Sequence, residues 1–227
     1  MISSLKQKSF LAFLILYTCW QALAFCVQSS IPYLIRFVLE MQADAQLLLQ
    51  VGFLLGALLS IPFWTIYAQK KNNNKHVFLI AALVLAVFSL FLTFIIDYYL
   101  LIIVFIFWGI GLGGIWALNR VIFSDTVEEA IVRTGKREEG IYSGITMFFN
   151  RLALIVQVII FIVVHTLTGF VEGAPTQSAQ TQWGIRLHLG IIPMIILIFG
   201  IVAFWILYDL TPEKTKEIQD KLKQLDL

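Results

Sequence analysis

Charge is scarce in this sequence. Only 13% of its 227 residues are Asp, Glu, Lys or Arg, about half the share of an ordinary soluble domain. So few charges cannot clothe the surface of a soluble chain of this length. The net charge is +2, which leaves no basic field for a nucleic-acid partner. Cysteine is nearly absent. Cys19 and Cys26 share one apolar run, with neither the spacing of a metal site nor the number for a disulfide framework. They read as small buried apolar residues. The three histidines, His76, His165 and His188, form no metal-ligand pattern. Gly140-Ile-Tyr-Ser143-Gly144 lacks the Gly-x-Ser-Gly spacing of six-span serine proteases, and the paired Asn-Pro-Ala motifs of six-span water channels do not occur. These absences argue against an enzyme, a bound metal and a cofactor.

What the chain has instead is apolar length. Hydrophobic residues make up 59% of it, gathered in runs of about 20 or more, enough to cross a hydrocarbon core of about 30 Å at about 1.5 Å per residue. Six runs fall near 10–39, 46–68, 76–96, 98–123, 140–171 and 185–208. Short polar stretches join them: QKKNNNKH at 69–76, charges over 124–139, and GAPTQSAQTQ over 173–182. The expected class is all-α integral membrane: a six-helix bundle over 1–209, then a charged amphipathic tail over 210–227. That tail opens at Thr211-Pro212, with Glu213 suited to a first helical turn. Lys6, Lys8 and Ala22-Leu23-Ala24 have the outline of a cleavable signal. The first run continues past them to Leu39, so it is expected to remain as a span.

Orientation follows from the basic residues. Thirteen sit at one end: Lys6, Lys8, Lys70, Lys71, Lys75, Arg120, Arg133, Lys136, Arg137, Lys214, Lys216, Lys221 and Lys223. Two, Arg36 and Arg186, sit at the other, and Arg151 lies inside a span. By the positive-inside bias both termini and the loops 69–76 and 124–139 are expected in the cytoplasm, of a multi-pass protein of the plasma membrane.

The stretch FSDTVEEAIVRTGKREEGIYSGITMFFNRLA, Phe123 to Ala153, resembles the signature loop of the glycoside–pentoside–hexuronide:cation symporters, the melibiose-carrier-like branch of the major facilitator superfamily. In that family an acidic pair precedes a basic-Gly-Arg-x-Glu-Gly run that leads into the eleventh of twelve helices. GALLSIPFW with its lysine-rich loop is similar to the family's eighth helix and its exit. GAPTQSAQTQWGIRLHLGIIP resembles the last external loop and helix twelve, and YDLTPEKTKEIQDKL resembles the family's ending. The resemblance spans nearly the whole chain and matches helices seven to twelve, half of a twelve-helix major facilitator fold.

That resemblance implies secondary transport of a sugar or glycoside-like solute coupled to Na⁺ or H⁺, with the solute between two halves near the midplane. An amphipathic or lipid-like solute is the alternative cargo, and a non-transporting subunit for assembly or regulation the alternative role. Two departures stand out. No Asp or Glu falls inside an expected span, whereas the family's cation site uses aspartates of the other half. Asn72-Asn73-Asn74 also replaces the usual glycine-containing turn. The expected partners are the lipid bilayer and a complementary six-helix N-terminal half, on a separate chain or a missing segment, or else a second copy of this chain.

Arg151 is the most informative residue. It lies about eleven residues, roughly 16 Å, into the fifth run, where a charge costs about 2.5–3.5 kcal/mol on insertion. In the resembled family a lysine in this neighbourhood contacts the cation-site acids. The alternative is an arginine that bonds helix carbonyls or bends to the interface. On the same helix Ser143, Thr146, Asn150, Gln157 and Thr168 share an arc of about 60°, with Arg151 about 100° from Asn150. Either one broad surface holds them all, or the stripe and Arg151 face different neighbours. Tyr17, Gln21 and Gln28 make a second stripe on the first run with Pro32. The glutamines suit sugar hydroxyls, and Tyr17 or Trp20 suits a sugar ring. Both stripes equally suit helix–helix hydrogen bonding. Asp125, Glu128, Glu129, Arg133, Lys136, Arg137, Glu138 and Glu139 are candidates for a latch between helix ends, or for a solvated loop. Gly52, Gly56 and Ser60, with Gly111 to Gly114, read as close-packing faces.

Overall fold

A computed structural model describes residues 5–224. The outermost residues of the bundle and of the tail, 1–4 and 225–227, lie outside it. Helix α1 runs over Lys8–Tyr33 and widens to a π turn over Leu34–Val38, just beyond Pro32, whose missing N–H removes one rung. A 3₁₀ turn, Ala43–Ala45, leads into α2, Gln46–Lys71. Asn72 ends α2 in the left-handed region at φ 47°, a conformation asparagine tolerates better than most residues. Asn73 then caps the next helix by accepting the His76 N–H at 3.0 Å. Two asparagines therefore do the work of a glycine turn. Helix α3 is Asn74–Phe94.

Helix α4 is Tyr98–Thr134, capped by Asp97 through the Leu100 N–H at 2.8 Å. At 37 residues it continues well past the end expected at 123. The charged stretch stays helical because Val127, Ala130 and Ile131 recur at helical spacing and are buried. Helix α5 is Glu139–Thr168. The last span is broken into α6, Ala179–Leu189, and α7, Ile191–Leu207. It starts earlier than expected because Ser178 caps it, accepting the Thr181 N–H at 3.2 Å. At the break, a Cβ on Gly190 would run into Thr93, whose hydroxyl accepts the Ile191 N–H at 3.0 Å. Helix α8, Pro212–Gln224, is the tail. Ile218 and Leu222 turn it onto the core, against α4.

Six helices are long and apolar enough to span a membrane, and no strand occurs among the described residues. The first three spans and the last three interlock. Helix α2 packs on α4, α1 packs on α5 and α7, and α3 lies between α4 and α7. At the α2–α4 crossing, Gly56 lies against the Ile106 carbonyl and Gly109 against the Phe53 carbonyl, so the backbones touch. Trp108 fills the adjacent core and donates to Ser89 Oγ at 2.9 Å.

Two basic residues fasten neighbouring helix ends. Lys75 donates to the carbonyls of Trp205 and Tyr208 at the end of α7. Arg186 donates to those of Thr93 and Phe94 at the end of α3, at 2.7 and 3.0 Å. Each satisfies carbonyls that a helix terminus leaves open. Most of α5 remains uncovered: Met147, Phe148, Ile155, Ile159 and Ile162 are all exposed.

Candidate functional site

Midway along the bundle, α1 and α5 meet in a polar seam. Asn150 Nδ2 donates to the Tyr17 hydroxyl at 3.1 Å, and Gln21 Nε2 approaches the same oxygen at 3.5 Å. With both lone pairs engaged, the Tyr17 hydrogen is left to donate elsewhere. Trp20 stands edge-on to Tyr17, centroids 5.6 Å apart, and its indole N–H is buried without a partner among the described residues. Two aromatic donors without acceptors among the described residues thus sit side by side, the phenol partly exposed and the indole N–H enclosed. Such an arrangement can hydrogen-bond a hydroxyl-rich solute while a ring supports its apolar face.

The rest of the α5 stripe divides along the helix, and Thr168 packs against Gly184 of α6. Thr146 bonds back to the Tyr142 carbonyl at 2.9 Å, Gln157 is buried, and Thr168 bonds its own helix at 2.7 Å. Ser143 is exposed, as is Gln28 on α1. Arg151 lies in the middle of the uncovered face of α5, exposed, while Asn150 of the stripe turns toward α1. The two features therefore face different neighbours.

At the basic end, the latch candidates divide. Glu129 accepts from Gln7 Nε2 at 2.6 Å and from the Ser9 hydroxyl. Gln7 also donates to the Thr126 carbonyl at 2.8 Å and accepts from the Tyr142 hydroxyl at 3.1 Å. One carboxylate thereby joins the entry of α1, the far end of α4 and the start of α5. Asp125 is buried beside a cavity of about 500 Å³ that Asn73, Lys75, Tyr208 and Lys216 also line. Tyr208, just past the last span, is buried. Burial first, then the carboxylates of Asp125, Glu129 and Asp209, push its phenol well above the ordinary range. Glu128 accepts from Ser124 at 3.2 Å within α4. Arg137 pairs with Glu139 at 3.5 Å on the surface, where Arg133, Lys136 and Glu138 are also exposed.

At the opposite end, the structure assembles a cluster that sequence reasoning missed. Ser30 of α1, His165 of α5 and His188 of α6 form one hydrogen-bonded chain, with Ser30 Oγ 2.7 Å from His188 Nδ1 and the two histidine Nε2 atoms 3.2 Å apart. The available signal was that two histidines lie inside apolar runs, the same reason Arg151 stood out.

A family model described as MFS/sugar transport protein matches residues 1–212 of the chain. No curated protein matches it.

Proposed function

We propose, on the premise that this chain belongs to the MFS/sugar transport protein family, that it forms one side of a central cavity through which a sugar or glycoside-like solute is carried. Family membership makes it a transporter rather than an enzyme, and its six spans make it a multi-pass integral membrane protein. The finer reading is secondary transport coupled to Na⁺ or H⁺, by a melibiose-carrier-like mechanism in which this bundle rocks against a second six-helix bundle. The second bundle is an N-terminal half, in the same polypeptide or a separate chain, ahead of a second copy. The basic end is taken as cytoplasmic by its lysines and arginines, in the plasma membrane.

The observation that carries this reading is Arg151, exposed at mid-length on a helix whose opposite side is packed. A charge at that depth is relieved by a polar cavity or a partner carboxylate, not by lipid. Tyr17, Gln21, Asn150 and Trp20 supply the hydroxyl-binding groups, with Thr146, Gln157 and Gln28 along the same helices. The network of Glu129 closes the basic end beside the buried Asp125, and Glu128, Arg133, Arg137 and Glu138 are proposed to engage at that end only when the second bundle is in place. A groove lined by Leu5, Ile141, Gly144, Ile145, Phe148 and Phe149 favours the second reading, an amphipathic cargo whose tail runs along α5.

Liposomes test the proposal. The purified chain at one copy per vesicle is expected to show no uptake of labelled sugar driven by a Na⁺ or H⁺ gradient, and the chain joined to a second bundle is expected to show it. Gradient-stimulated uptake by the single copy overturns the half-cavity reading.

A further inference from the structure

The histidine cluster at the end opposite the basic loops has a hydrogen-bond logic that can be read atom by atom. The Ser30 hydroxyl donates to the Cys26 carbonyl at 2.5 Å, which uses its only hydrogen. Its 2.7 Å contact with His188 Nδ1 therefore has the ring N–H as donor and the serine oxygen as acceptor. A neutral imidazole protonated on Nδ1 is bare on Nε2. His188 Nε2 must then accept, and the donor 3.2 Å away is His165 Nε2–H. In the neutral state this leaves one basic nitrogen, His165 Nδ1.

Aromatic rings enclose that imidazole. Phe170 stacks on His165 with centroids 4.4 Å apart and planes 12° from parallel, Tyr33 stands at 5.2 Å and Phe161 at 5.5 Å. Aromatic faces attract a cation held against them. His188 is fully buried, whereas His165 is only partly so. The ring with the free nitrogen is thus the less buried of the two.

We propose that His165 is a proton-binding site, in which Nδ1 takes a proton and the resulting imidazolium is held by a charge-assisted hydrogen bond from its Nε2 to His188 and by the rings of Phe170, Tyr33 and Phe161. The proton adds to the Nδ1 lone pair and no other bond changes. Each packed element contributes groups to this cluster. From α1 come Ser30, Cys26 and Tyr33. The π turn brings Phe37 with Arg36 over its ring at 5.0 Å. Arg186 of α6 is turned onto the carbonyls that end α3, and α5 adds Phe161. A hard cation asks for several oxygen ligands, which this cluster lacks. A zinc site asks for three or four protein ligands, and no three His, Cys, Asp or Glu side chains group together among the described residues.

The role that follows, coupling to H⁺ rather than Na⁺, rests on the transport reading. The proton site itself does not. Nitrogen-15 NMR of histidine-labelled full chain in nanodiscs, taken from about pH 8 to pH 4, reads it without transport. His165 Nδ1 is expected to become protonated while His188 Nε2 stays bare. His188→Phe is expected to weaken proton binding at His165 by about tenfold, one unit of titration midpoint. Phe170→Leu, which keeps the hydrogen bonds and should fold readily, is expected to weaken it several-fold. A His165 ring that stays neutral across that range overturns the proposal. So does a midpoint unmoved by Phe170→Leu, or both Nε2 signals shifting on addition of zinc chloride.

Discussion

Asn150 on α5 donates a 3.1 Å hydrogen bond to the hydroxyl of Tyr17 on α1, joining the fifth span to the first. That bond holds the phenol with its hydrogen turned away from the pair, free for a solute oxygen.

Tyr17→Phe is therefore expected to preserve the ring packing against Trp20 and remove the donor. The Asn150 and Gln21 amides lose an acceptor, a cost of about 1–3 kcal/mol if they stay buried. Sugar uptake by the assembled transporter should show KM raised about tenfold, with insertion unchanged. An unchanged KM would take the seam out of solute binding.

Arg151→Ala is expected to insert and fold normally, because the side chain is exposed and has no ion pair or hydrogen bond among the described residues. Uptake by the assembled transporter should fall to background. Near wild-type rates in that variant would remove Arg151 from the mechanism.

Orientation is open to labelling. In a background without Cys19 and Cys26, Asn73→Cys should be protected from an impermeant reagent added outside intact cells, and Ser178→Cys should react. Asn73 turns between α2 and α3 and is partly exposed, and Ser178 caps α6 and is exposed. The reverse labelling pattern would invert the topology.

The α2–α4 crossing gives a stability prediction. Gly109→Ala places a methyl against the Phe53 carbonyl, and overpacking of this kind costs about 1–3 kcal/mol. The detergent-solubilised variant should melt earlier than the parent. Gly140→Ala, at a position where a Cβ meets nothing within 4 Å, serves as the control. Equal melting of the two would mean that the crossing has slack.

Much of this is legible in the residues alone. The six spans announced themselves because uninterrupted apolar runs have few other uses, and the α5 stripe followed from helical period alone. The far end of α4 reads as loop in the sequence and is helix in the structure. There Val127, Ala130 and Ile131 sit among four acidic and basic residues, and charge masked a buried face. The seam was half legible: Tyr17, Gln21 and Asn150 were singled out, but only packing shows that α1 and α5 face each other. The histidine chain lay beyond reach. Ser30, His165 and His188 come from three separate segments, and no local spacing ties them together.

Helix α4 has a mechanical consequence beyond its contacts. A rod of 37 residues is about 55 Å long, against a hydrocarbon core of about 30 Å, so its surplus stands proud at the basic end. A tilt of about 5° about the bilayer centre swings a tip about 35 Å away through about 3 Å. The tip carries Glu129 and bears the tail helix α8. Small rotations within the membrane are thus magnified into displacements at the water's edge, where α8 rides on the lever arm as its pointer.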